Sequence, residues 1–312
     1  MSSLAAHSLP AADALRGPLR LALLALGFAT LTILLGAMTT STGSGLAYPD
    51  FPLSDGQLMP EKSYTTVPGF LEHFHRLAAA TTGLLTLGLA LWLQFGRLPA
   101  TTARGTAWFC GCLTLTQGLV GGTGVLKGLP AWSSVTHGTL AQLTLATLAW
   151  ISYQLSPSYR ATPIVATVAP GSGRKLAMIA LIGLVAQTVL GALARHTNSP
   201  HALWTHVGNA FVVFLLAAIA SAFAVGRLGE TPGVKAHSRW LLILLLVQVV
   251  LGFVALVVRN EDGKTPENVE KLGAALFISL HVLVGALLTT LIASLAAHVF
   301  RATRSPAAQE RA

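Results

Sequence analysis

Charge is scarce in this chain, and so are cysteine and aromatic residues. Only 10% of its 312 residues are Asp, Glu, Lys or Arg while 53% are hydrophobic, and the charges fall between long apolar stretches instead of among them. Such a chain cannot clothe a water-exposed surface, which excludes an ordinary soluble globule. Its two cysteines, Cys110 and Cys112, stand two residues apart inside one apolar stretch. On a helix they point to different sides, so a disulfide framework and a cysteine metal pair are both excluded, and apolar packing is left for them. Acidic residues are fewer than basic ones, 11 against 20. The basic residues form no surface motif with aromatics, which argues against a nucleic-acid partner.

Long hydrophobic runs are what the sequence has instead. Crossing roughly 30 Å of hydrocarbon takes about eighteen or more apolar residues. Runs of that kind are read at 19–40, 74–96, 105–126, 134–155, 176–195, 203–226, 240–258 and 273–299. The fold expected is therefore an all-α integral membrane protein of eight transmembrane helices. The first run follows Arg16 and Arg20 but is long for a signal peptide and has no cleavage site after it, so it is read as retained. With the N-terminus taken as cytoplasmic, thirteen Lys or Arg fall in inner segments and six in outer ones, with Arg76 inside a span. This places both termini in the cytoplasm of a multi-pass protein of the cell inner (plasma) membrane, in contact with membrane lipid.

The spans repeat a phrase. "TQGLVGGTGV" at 116, "AQTVLGALAR" at 186 and "VQVVLGFVAL" at 247 each set a glutamine four residues before a glycine, on one helix face; "ILLGAMTTST" keeps the glycine without the glutamine. After each phrase the chain turns through an outer loop into a span with a histidine in its outer half: His75, His137, His206 and His281. Two pseudo-symmetric four-helix bundles follow, residues 1–160 and 161–312, joined by a Pro-, Gly- and Ser-containing inner loop and related as parallel repeats.

Imidazole in hydrocarbon needs a hydrogen-bond partner or a metal. Any one such histidine is commonly a satisfied packing residue, but four at equivalent positions point to a shared purpose. Facing histidines in a four-helix bundle can supply both axial ligands of a haem iron. The glycines suit a flat macrocycle, and equally suit close helix packing. A zinc site fits less well, with no further ligand at the same depth. Only the first half puts a carboxylate beside its histidine. Glu72 is three residues before His75 with Arg76 adjacent, whereas Leu203 stands three before His206. A carboxylate at the edge of low dielectric is suited to proton exchange, although a helix-start residue paired with Arg76 at i+4 reads equally simply. His73 faces another side and is read as interfacial; His7, His196, His201, His237 and His298 are read as surface residues.

In "TSTGSGLAYPDFPL", "EHFHR", "TQGLVGGTGVL", "THGTLAQ", "LGALARHT" and "SLHVLVGALL" the chain resembles the haem A synthase family over nearly its whole length. The resemblance implies an enzyme that oxidises the C8 methyl of haem O to a formyl group by successive hydroxylations, giving haem A for cytochrome oxidase. It implies haem b as cofactor between His206 and His281, and haem O as substrate near His75 and His137, with the haem sites toward the outer face. Glu72 would be catalytic, moving protons or steering an oxidised intermediate, and Arg76 would balance charge or contact a propionate. Expected partners are an electron donor, quinol or reductase, and the enzyme that makes haem O; a homo-oligomer is admitted. One departure stands out: Tyr48 and Ser54 occupy places where many members carry a cysteine pair. The competing reading is a bis-histidine membrane cytochrome b that carries electrons from quinol and modifies no haem, or a helical scaffold binding no iron.

Overall fold

The computed structural model describes residues 13–99, 101–162, 170–259 and 269–303. His7, the central part of the inner loop, and the charges Glu261, Asp262, Lys264, Glu267, Arg304 and Arg311 lie outside the described residues. Eight long helices carry the described chain: α1 (Arg16–Ser41), α2 (Val67–Phe95), α3 (Ala103–Leu126), α4 (Ala131–Leu155), α5 (Pro170–His196), α6 (Pro200–Leu228), α7 (Val234–Val258) and α8 (Val269–Ala302). Two short helices, Lys62–Thr65 and Pro157–Ala161, lie in connections. Their starts are written in the sequence. Thr66 accepts a hydrogen bond from the Gly69 N–H and Ser199 from the Ala202 N–H, each with proline in the first turn, which satisfies donors that a helix start leaves open.

Seven of these helices are long and apolar enough to cross a membrane, and α4 is not among them. Of the eight apolar runs expected to span, seven are thus matched by helices of sufficient length and hydropathy. Helix α4 is present at 25 residues, but Ser133, Ser134, Thr136, His137, Thr139, Gln142, Thr144, Thr147 and Ser152 interrupt its hydropathy. The reason lies in its neighbours. It packs on α1, α3, α5 and α8, with Gln142 and Thr144 buried. A helix enclosed by other helices needs no apolar face for lipid.

Helices α1 to α4 close a ring of neighbours through α1–α2, α2–α3, α3–α4 and α4–α1, and α5 to α8 close the same ring. Contacts between the two sets run through α4–α8, α1–α8 and α4–α5. The buried apolar residues form two clusters. One is built from Leu15 to Leu155 with Ala286, the other from Ala177 to Ala302.

Between α1 and α2 a loop folds back over the start of α2. Asp50 organises it, accepting from the backbone N–H of Asp55 at 2.9 Å and of Gly56 at 2.8 Å; both donors have positive φ, 51° and 70°. Burial acts to raise the Asp50 carboxyl, but these N–H donors and the Arg76 charge outweigh it and hold the group below its ordinary range. A depressed carboxyl stabilises the loop fully above its unfolded value, about 3.9, and that contribution is lost as pH falls through the lower folded value. In detergent, cleavage of residues 43–66 by an acid protease should therefore rise below that pH, and Asp50→Ala should be cleaved readily at every pH with its helices intact.

Candidate functional site

The four histidines of the repeat meet in two pairs. His75 of α2 faces His137 of α4 with ring centroids 6.2 Å apart and planes at 80°; His206 of α6 faces His281 of α8 at 6.2 Å and 82°. Both pairs line one cavity of about 1680 Å³, larger than the ~300–1,000 Å³ usual for a single small-molecule site.

Each ring is held by the helix that precedes it. His75 Nδ1 lies 3.0 Å from the Thr32 carbonyl, His137 Nδ1 3.0 Å from that of Gln117, and His206 Nδ1 3.1 Å from that of Gln187. A carbonyl only accepts, so Nδ1 carries the proton in these three rings and Nε2 keeps its lone pair. The residue four positions after each acceptor is the glycine of the repeated phrase. A Cβ on Gly36, Gly121 or Gly191 would meet Cε1 of its histidine at 2.7, 2.8 or 2.9 Å, and on Gly252 that of His281 at 3.1 Å. Glycine thus lets an imidazole lie flat on a helix and reach a carbonyl already engaged in the helix ladder. This use of the phrase differs from both sequence readings of the glycines, and its signal was the fixed four-residue offset, shared by Thr32 and Gly36. His281 departs from the pattern: its Nδ1 has no partner among the described residues, and its Nε2 lies 3.4 Å from the Gln248 amide nitrogen.

Two metal–imidazole bonds of about 2.0–2.1 Å, with half the width of each ring, span about the separation seen in each pair. The donor set therefore fits one metal ion per pair. Among the described residues no group of three His, Cys, Asp or Glu side chains converges, so such an ion would need its remaining ligands from a group it brings with it, as haem iron does.

Among the described residues the first pair alone has a carboxylate beside it. Glu72 is 3% exposed and lines the cavity with Arg76. Its Oε2 accepts the Tyr48 backbone N–H at 3.0 Å and its Oε1 an Arg76 nitrogen at 2.5 Å. Arg76 also donates to the carbonyls of Tyr48, Asp50 and Leu53, at 2.9, 2.7 and 2.5 Å. The pair therefore fastens the 42–66 loop to α2. Tyr48 is fully buried beneath it, with Lys62 5.1 Å from its ring centroid. Burial, with the Asp55 and Glu72 charges, pushes its phenol up despite Arg76, so the group is neutral at physiological pH. Ser54, the other departure from the cysteine pattern, sits 3.0 Å from His73 Nδ1. His73 does face away from His75, but it is buried under the loop rather than interfacial.

Two other histidines differ from expectation. His196 lines the cavity. His298 is 1% exposed, stacked 3.7 Å from the Tyr153 ring and near His237; helix packing from α4 buries it, which no local pattern on α8 signals. Arg195 and Arg259, counted in the sequence only as outer charges, also line the cavity. Cys110 and Cys112 are free.

Alanine at Gly121 or Gly191 should push the facing imidazole off its carbonyl and lower stability by about 1–3 kcal/mol, the cost of overpacking. Gly118→Ala, inside the same helix as Gly121 with nothing within 4 Å, should not lower the detergent unfolding midpoint and should raise it slightly, since alanine favours a helix interior over glycine by about 0.5–1 kcal/mol.

The arrangement has named relatives. A heme A synthase of Mesorhizobium japonicum is 31% identical over 46% of this chain and 41% of its own length. Heme A synthases of Symbiobacterium thermophilum and Geobacillus kaustophilus are 27% and 26% identical; they cover 71% and 72% of this chain and 80% and 76% of their own lengths. The alignment with the first relative thus spans less than half of it. The COX15-CtaA family profile, cytochrome oxidase assembly protein, matches residues 20–209. Through that match, which takes in the loop clamp and three of the four paired histidines, this multi-pass membrane chain belongs to the COX15-CtaA family of cytochrome oxidase assembly proteins.

Proposed function

We propose that the chain is a heme A synthase, oxidising the C8 methyl of haem O to a formyl group by successive hydroxylations. The observation that carries this reading is the difference between two otherwise matched histidine pairs in one cavity. Both have the spacing for a single iron, and among the described residues only His75–His137 has a carboxylate beside it. Haem O as substrate belongs at that first pair, and haem b as cofactor between His206 and His281. Bound there, haem b supplies one-electron chemistry. Glu72 is the residue assigned to moving protons at the substrate methyl, and Arg76 balances its charge while holding the loop over it.

In this reading eight transmembrane helices form two pseudo-symmetric four-helix bundles, the first in residues 1–160 and the second in 161–312. The identical rings of helix neighbours and the two separate apolar clusters support the division. Helix α4 crosses as an inner helix shielded by its neighbours. The excess of Lys and Arg on one side supports cytoplasmic termini in the plasma membrane and haem sites toward the outer face. A quinol or reductase supplies electrons, and the enzyme that makes haem O is the natural donor of a substrate too lipid-like to diffuse through water.

Haem extraction and mass analysis of membranes from cells making haem O tests the reading. Hydroxymethyl and formyl haems should appear only with this protein; bound haem b with haem O untouched would make it an electron carrier instead. Glu72→Gln should lower haem A yield by about 10²–10⁴-fold, the usual contribution of a positioned acid or base. His206→Ala should remove the bound haem b absorbance, which His75→Ala should leave in place.

A further inference from the structure

Three arginines line the cavity, and they are not equivalent. Arg76 is neutralised by Glu72. Arg195 and Arg259 take no part in any ion pair among the described residues, which are Arg16–Asp13, Arg76–Glu72 and Lys235–Glu230. Arg195 lies four residues beyond Gly191, about 6 Å further along α5. It donates through Nη2 to the Ala37 carbonyl at 2.9 Å and to Ser41 Oγ at 2.6 Å, and Ser41 Oγ in turn lies 3.0 Å from Ser279 Oγ, two residues before His281 on α8. Arg259 ends α7, seven residues beyond Gly252, about 10 Å along. Among the described residues its Nη2 has only long contacts, 3.4 Å to the carbonyl of Ala194 and 3.5 Å to Asn198 Oδ1. Two half-buried guanidinium groups thus reach the cavity beside one short stretch of α5, Arg195 directed toward α1 and Arg259 toward Ala194 and Asn198. A guanidinium lining a membrane cavity with no carboxylate partner among the described residues is costly unless an anion joins it.

The first half has nothing comparable. Counting the same offsets from Gly36 and Gly121 leads to Thr40 and Gly128. The histidine holders repeat in both halves, whereas the cationic edge belongs to the second alone.

We propose that Arg195 and Arg259 form a carboxylate clamp that holds the propionates of the macrocycle bound between His206 and His281. This rests on the haem reading given above. It assigns the propionate contact to Arg195 and Arg259 in the second site, where Arg76 is committed to the loop. It also gives a reason for one site to retain its haem while the other exchanges substrate: both offer two histidines, but only one adds two guanidinium groups.

The full chain, purified in detergent from haem-limited cells, should be titrated with protohaem and with its dimethyl ester, following the Soret band. In the wild type the tighter site should prefer the free acid by about tenfold or more, the scale of a charge-assisted bidentate contact. Arg195→Gln and Arg259→Gln should each weaken free-acid binding and leave ester binding unchanged, so that the preference collapses; Arg195→Lys should restore part of it. Arg227→Gln, outside the cavity, should keep the wild-type preference. Equal affinity of the wild-type tighter site for acid and ester overturns the clamp and leaves the haem reading standing. A variant that weakens both ligands equally assigns its arginine a structural role and overturns the clamp as well. Loss of the preference on adding phosphatidylglycerol would put a lipid phosphate in the clamp, against the proposal. Absence of any Soret band in the wild type would overturn the haem reading itself.

Discussion

A buried imidazole needs an acceptor for its ring proton, and for His75, His137 and His206 that acceptor is a main-chain carbonyl of the preceding helix. That carbonyl already serves the helix ladder, so it can take a second donor only where no side chain covers it. Glycine four residues on removes the cover. From this one requirement come the repeated phrase, the close pairing of each odd helix with the even helix after it, and the equal ring separations in both pairs. In these three rings the Nε2 lone pair is left for a ligand because Nδ1 is committed elsewhere, the arrangement by which a hydrogen bond on one ring nitrogen fixes the tautomer for metal binding by the other; His281, with Nδ1 unpartnered among the described residues, does not share it.

On this common frame the two ends of the cavity have been finished differently. Around His75 and His137 the polar groups neutralise one another: Glu72 meets Arg76, and Arg76 meets three loop carbonyls. Arg195 and Arg259, which also line the cavity, have no ion-pair partner among the described residues. Helix α4 joins the two, since it packs against helices of both sets and carries His137. Its polar residues, which set it apart in hydropathy, are those of a helix whose surroundings are protein.

Much of this was legible in the sequence because it is local and periodic. The apolar runs mark the helix ends to within three residues and the starts to within seven, and the glutamine-to-glycine offset marks the face that receives a histidine. Glu72 and Arg76, four residues apart, had to share a helix face. Other features depend on which helices become neighbours. Nothing near His298 in sequence announces that Tyr153, 145 positions earlier by number, will stack on it. Nothing near Arg195 indicates that it will reach the backbone of α1 at Ala37. The carbonyl acceptors were in view as residues, but their function lies in the main chain, and a reading of side chains passes over it.

The loop over Glu72 is fastened entirely by contacts that form and break without changing oxidation state. Tyr48 fills a buried slot and gives its N–H to Glu72, Ser54 meets His73, and Arg76 gathers three carbonyls. Its maturation is consequently independent of thiol oxidants and of the disulfide-forming machinery of the compartment it faces. The same loop closes under reducing and oxidising conditions alike, and its fastening is unaffected by thiol reagents.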